Sequence, residues 1–238
     1  MNRLMLAAAA VLALAASVLA EDPPPKTEAE IAQEKVDALI LAMKDGTDDE
    51  KTVAIAGCGL TPHALTANAL APLLANPADD IRTKAVAALS LMKGVAEAAT
   101  ALESGFTANE EKSPIFLAIL RAIEAVALPS SIAVLKSWID KQLKKKETAT
   151  LPTVDAAIES LAGIRHKKSV EALMLLLKGI EDRAGKPAKG SPPPAADLRV
   201  IAALARLTGQ RMQQHPLWVE WWKKNEAKYN DDMTKVLK

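Results

Sequence analysis

The sequence predicts an all-α protein: an α-solenoid of helix pairs closed by an aromatic C-terminal capping helix. Three observations carry this. Alanine and leucine are abundant, whereas only four tryptophans, two phenylalanines and one tyrosine occur in 238 residues, a balance that favours closely packed helices over sheet. Five apolar anchors, Ile55, Leu89, Ile123, Leu161 and Leu204, follow one another at steps of 34, 34, 38 and 43 residues. Three residues after each anchor stands another apolar residue: Cys58, Met92, Val126, Ile164 and Leu207. A period of this size marks two-helix units that bury their apolar faces against the next unit.

Residues 1–20 have a single charge, Arg3, then the apolar run Leu4–Leu19, and Ala20 precedes acidic Glu21 and Asp22. This is the layout of a cleavable signal peptide, so the chain is expected to be exported, periplasmic or secreted, and not membrane-spanning after cleavage. Residues 21–27 form a proline-rich spacer. Helical repeats are expected over 28–210 and a C-terminal capping helix over 211–238.

Within the repeats, the first helix is expected over Glu28–Lys44, with Ile31, Val36, Leu39, Ile40 and Met43 inward and Gly46 beyond its end. A helix at Asp49–Gly57 follows, acidic at its start. Pro62 and His63 open a helix through Leu74, kinked at Pro72 and stopped by Asn76-Pro77. The run Asp79–Met92, DDIRTKAVAALSLM, places Ala85, Val86, Leu89 and Met92 on one face. The unit repeats as Val95–Leu102 with Pro114–Ala127, then Ser130–Leu143 with Thr153–Ile164, with Ser130 and Ser131 as candidate N-caps. A last unit begins near Ser169 with Leu173, Leu176, Leu177 and Ile180 on one face. The stretch 184–196, AGKPAKGSPPPAA, reads as a flexible loop, and Lys144–Thr150 as a shorter insertion; both lengthen the steps between anchors.

The residues Asp80, Arg82, Ala85, Ala88 and Leu89 make a text that resembles HEAT repeats, and the resemblance covers roughly residues 47–210. Asp197-Leu198-Arg199 echoes the Asp and Arg two residues out of register. The ending Leu207-Thr208-Gly209-Gln210 with Trp218, Trp221 and Trp222 looks like that of exported bacterial HEAT-repeat (armadillo-like) proteins. The resemblance implies a right-handed superhelix of four to five helix pairs and an envelope location. It implies no reaction.

Charge excludes some partners. Without Arg3 the chain has 29 basic and 29 acidic residues, which favours neither nucleic acid nor acidic lipid. The single Cys58 excludes an intramolecular disulfide, a CxxCH haem site and any zinc site of several thiolates, and reads as a small buried hydrophobe. His63, His166 and His215 all fall at turns, with no HExxH, and there is no GxSxG, phosphate-cradling glycine loop or GxGxxG. No enzyme, cofactor or metal is therefore expected.

Two candidate binding features remain. Trp218, Trp221, Trp222 and Tyr229 share a stripe of a helix drawn from Pro216 to Tyr229, as a cap on the last repeat or as a platform for a sugar or peptide. Lys141, Lys144, Lys145 and Lys146, with Arg165, His166, Lys167 and Lys168, occupy turns read as one edge of the array. That edge is either simply solvated or an anion-binding surface. The leading expectation is a non-catalytic scaffold that binds an unknown protein partner through a concave surface. The alternative is a glycan- or anion-binding protein using the basic edge or the tryptophans.

Overall fold

The computed structural model describes residues 25–110, 113–145, 152–184 and 195–236. The expected signal peptide, the first part of the spacer, Lys146 with most of its insertion, and residues 185–194 of the expected loop lie outside the described residues. Eleven α-helices are described: α1 Glu28–Asp45, α2 Asp48–Gly59, α3 Ala64–Leu70, α4 Asp79–Ser90, α5 Ala96–Ala108, α6 Ser113–Val126, α7 Ser131–Leu143, α8 Pro152–Gly163, α9 Lys167–Ala184, α10 Ala195–Thr208 and α11 His215–Asn225. The only extended pairing among the described residues is an isolated antiparallel bridge between Tyr229 and Lys235.

Each odd-numbered helix packs on the next odd one and each even-numbered helix on the next even one, while α1, α3, α5, α7 and α9 each pack on the even helix that follows. The described helices therefore fall into an odd row and an even row of packed neighbours, joined by the odd–even pairs. All five anchors lie on the even row, α2 to α10, and each is at most 1 % exposed. Their partners Cys58, Met92, Val126, Ile164 and Leu207 are buried too, because a spacing of three returns to the same helical face.

Local chemistry explains where these helices begin. Thr27 with Glu30 and Thr47 with Glu50 form capping boxes, the hydroxyl accepting from the glutamate N–H while the carboxylate accepts from the threonine N–H. Those hydrogen bonds hold both carboxyls below the ordinary glutamate value. His63 and His166 also cap: Nδ1 of each accepts a backbone N–H, from Leu65 at 3.2 Å and from Lys168 at 3.1 Å. Pro72 sits in the first turn of a 3-10 segment, Ala71–Ala75, that continues α3, so the expected kink is a change of helix type.

Several expectations are corrected. Ile31 and Ile40, placed inward from their spacing, are 38 % and 60 % exposed, and Ala32 and Leu39 are the buried residues of α1. As the first helix of its row, α1 packs only on α2 and α3, so only one stripe is covered. The second helix runs through both glycines to Gly59, where a Cβ would stand 2.8 Å from Ala88 Cα; glycine allows α2 to lie against α4. The fifth helix continues past Leu102 to bury Phe106 against Phe116 at 4.6 Å. Ser130 makes no cap; Ser131 Oγ instead donates to Glu103 of α5 at 2.7 Å. The aromatic helix ends at Asn225, and Tyr229 reaches the tryptophans through a 3-10 turn, Glu226–Lys228.

Candidate functional site

Burying one face of every even helix leaves the opposite face to solvent. Two residues before each anchor stand Val53, Ala87, Arg121, Glu159 and Ala202, and all five are exposed. Because α2, α4, α6, α8 and α10 pack side by side, these positions form one continuous surface across five helices. Its character changes along the row. Val53 and Leu91, 71 % and 54 % exposed, make the α2–α4 end apolar, whereas Arg121, Glu124, Glu159, Arg199 and Arg206 make the α6–α10 end charged.

The charged end holds a cleft of about 250 Å³ between α8 and α10. Ile158, Ala162, Ala202 and Ala203 form its floor, and Asp155, Glu159, Arg199 and Arg206 its rim. Small alanines on facing helices leave the depth. Arg199 is ion-paired with Asp155 across the two helices. Arg206 Nη2 donates to the Glu159 carbonyl oxygen at 2.7 Å and lies 3.8 Å from Glu124 Oε1 of α6.

Glu124 lies against the α8 backbone at Gly163 and meets the cleft through Arg206, without lining it. A Cβ at Gly163 would overlap its carboxylate, so the glycine at the end of α8 makes the position available. Burial raises the Glu124 carboxyl above the ordinary value, against the opposing pull of Arg206, and the Glu159 carboxylate adds to the rise. Among the described residues no cation pairs with the Glu159 carboxylate, and no group of three or more His, Cys, Asp or Glu is placed to hold a metal ion.

The residues singled out from sequence lie elsewhere. Trp218 is fully buried, its Nε1 donating to the Met212 carbonyl at 3.0 Å, and Trp222 is 5 % exposed. Trp221 is partly buried, 6.1 Å and 6.0 Å between ring centroids from these two. Tyr229 stacks on the same group and is also buried. The stripe closes α11 onto the core, and the platform reading loses two of its three indole faces to packing.

The basic residues do not share an edge. Lys141, Lys144 and Lys145 lie at the end of α7, whereas Arg165, Lys167 and Lys168 lie where α8 ends and α9 begins. The 12 residues of α8 separate these turns by about 18 Å at 1.5 Å per residue. Each group also has acidic neighbours. Lys144 Nζ lies 2.7 Å from Asp140, which Arg183 of α9 also approaches at 3.4 Å; the hydrogen bond from Lys144, and the charges of both cations, hold the Asp140 carboxyl below its ordinary value. Lys167 bonds the C-terminal segment through its backbone N–H to the Asp231 carbonyl, 2.9 Å, and its Nζ lies 3.8 Å from the Asp231 carboxylate.

Of the motif residues, Ala85, Ala88 and Leu89 are buried, Asp80 pairs with Lys84, and Arg82 is buried with its guanidinium on Asp79 and the Asn76 carbonyl. Between α8 and α10 the Asp–Arg contact is Asp155–Arg199. Cys58 is buried, its thiol pushed up to about 11 by burial, which suits a packing residue and leaves no thiolate at neutral pH.

Sequence reading missed Glu124, Gly163 and Arg206. They stand one, two and two residues after their anchors, but nothing in the spacing links them, and only packing of α6, α8 and α10 brings them together. No helix among the described residues is long and apolar enough to cross a membrane. No family model matches the sequence, and no curated protein is significantly similar to it.

Proposed function

We propose that this chain is a non-catalytic protein-binding scaffold of the bacterial cell envelope, an α-solenoid of HEAT-like helix pairs whose even-row face is the concave, partner-binding surface. The observation that carries the reading is the continuous exposed face formed by the same alignment position on five adjacent helices. Repeat arrays bind extended partners along such faces. A surface running from apolar to charged suits a protein segment with an apolar anchor and a polar flank, the mixture found at protein–protein interfaces. Among the described residues the thiol is buried, two histidines serve as caps, and most shifted carboxylates are held by local hydrogen bonds.

The test is a pull-down from envelope extract with immobilised residues 21–238 at low and physiological salt, in parallel with Ala87→Glu and Glu159→Lys. A protein retained by the parent at both salt concentrations and lost from both variants, with helicity unchanged by circular dichroism, is the expected result. Equal retention by parent and variants would remove the even-row face from consideration.

A further inference from the structure

Among the described residues, one carboxylate on the rim of the α8–α10 cleft, that of Glu159, has no cation paired with it. Two carboxylates, Asp155 and Glu159, share its rim with two guanidiniums, Arg199 and Arg206, and a third carboxylate, Glu124 of α6, stands outside the lining against Arg206. Asp155 is occupied by Arg199. Arg206 is fixed by the Glu159 carbonyl and only approaches Glu124 at 3.8 Å. Glu159 thus stands beside the apolar floor without a cation, and its charge also repels the Glu124 carboxylate.

A guest anion would have to take Arg206 from Glu124 or Arg199 from Asp155 while facing the Asp155 and Glu159 carboxylates. A guest cation would lie against Glu159 and relieve the repulsion between it and Glu124. At about 250 Å³ the cleft is smaller than the ~300–1,000 Å³ usual for small-molecule pockets, and its floor of Ile158, Ala162 and Ala202 suits an aliphatic stem carrying a charged head. With no metal-holding group among the described residues, the cation it fits is organic. We propose that this cleft receives a basic side chain, arginine or lysine, presented by the protein partner bound along the even-row face. This rests on the scaffold reading above and specifies the chemistry of the partner at one point.

The experiment is an NMR titration of residues 21–238 with the blocked pentapeptide acetyl-Ala-Ala-Arg-Ala-Ala-amide, its lysine counterpart and its glutamate counterpart. The arginine or lysine peptide should shift the backbone amides of Ala162, Gly163 and Ala202, and should lower the apparent pKa of Glu124. Glu159→Gln should weaken binding about fivefold, the loss of one partly exposed charge contact. Glu220→Gln on α11, whose carboxylate pairs with Lys224 away from the cleft, should leave it unchanged.

Shifts with the glutamate peptide alone would overturn the sign of the partner and leave the even-row face standing. No shift at the cleft with any peptide, while Ala87→Glu still abolishes protein capture, would overturn this inference alone. No shift together with capture indifferent to Ala87→Glu and Glu159→Lys would overturn the scaffold reading as well. A response spread evenly over all acidic surface residues, insensitive to Glu159→Gln, would reduce the effect to general charge attraction and also overturn the inference.

Discussion

Glu124 is held over a glycine, near one guanidinium and one like charge, with its carboxyl raised above the ordinary 4.5. A carboxyl raised in the folded state binds its proton more tightly there than in the unfolded chain. Stability from this group is thus greatest below pH 4.5 and declines as pH rises from 4.5 through the folded value. Glu124→Gln removes that decline. Melting measured from pH 4 to pH 7 should show the variant gaining on the parent as pH rises; a constant difference would mean Arg206 already offsets burial and Glu159. Glycines supply a second residue-level prediction, with opposite signs at neighbouring positions. A Cβ at Gly59 would stand 2.8 Å from Ala88 Cα and 2.9 Å from its Cβ, so Gly59→Ala forces two backbones apart and should cost about 1–3 kcal/mol. At Gly57 the nearest atom is the flexible Lys35 Cδ at 3.6 Å, so Gly57→Ala should stabilise by about 0.5–1 kcal/mol through helix propensity. Urea denaturation of both variants checks this, and a shared sign would refute the close α2–α4 contact.

Helix α11 shows how an element depends on a few side chains. Trp218 and Trp222 are the residues it buries, and the large area of each indole dominates what holds the helix in place. Trp222→Ala should cost about 3–5 kcal/mol, on the order of 10 °C in melting temperature for a chain of this size. Trp221→Ala, at a partly exposed ring, should cost less. Equal losses would mean that Trp221 contributes as much to closure as the buried rings. The cap was readable from sequence because four aromatic residues recur near one end of a chain poor in them. The helix end was not, since nothing in the spacing of Tyr229 distinguishes another helical turn from a 3-10 turn leading to an extended residue. The anchors were legible for a stronger reason: one apolar face must recur once per unit, so burial leaves a mark at fixed spacing on each even helix. Glu124 with Arg206 left no such mark. Their relation depends on which helices neighbour each other and on a glycine between them, and charged residues at solvent positions follow no period. The lysine runs misled in the opposite direction. They are conspicuous as text, but a helix of 12 residues separates them.

Among the described residues, the main helix contacts join each helix to its near neighbours in the two rows. Stability in such an arrangement is close to a sum of local terms, and the ends open at lower free energy than the middle. The two ends are not equivalent. At the first, α1 buries only Ala32 and Leu39 and leaves Ile40 and Leu41 60 % and 67 % exposed. At the other, α11 brings two buried tryptophans, and the segment after it is tied to the start of α9 through Lys167 and Asp231. The centre is held from both sides: α6 packs on α4, α5 and α8, and Phe116 lies between Phe106 and Trp138 at 4.6 Å and 5.0 Å. Native-state hydrogen exchange should therefore give the lowest opening free energy in α1, a higher one in α11, and the highest in α4 and α6. The Trp222→Ala substitution should bring α11 down toward α1 while leaving α4 and α6 nearly unchanged, because α11 packs mainly on α9. If instead every helix lost protection together in that variant, the two rows would be a single cooperative unit, and the additive picture drawn from nearest-neighbour packing would fail.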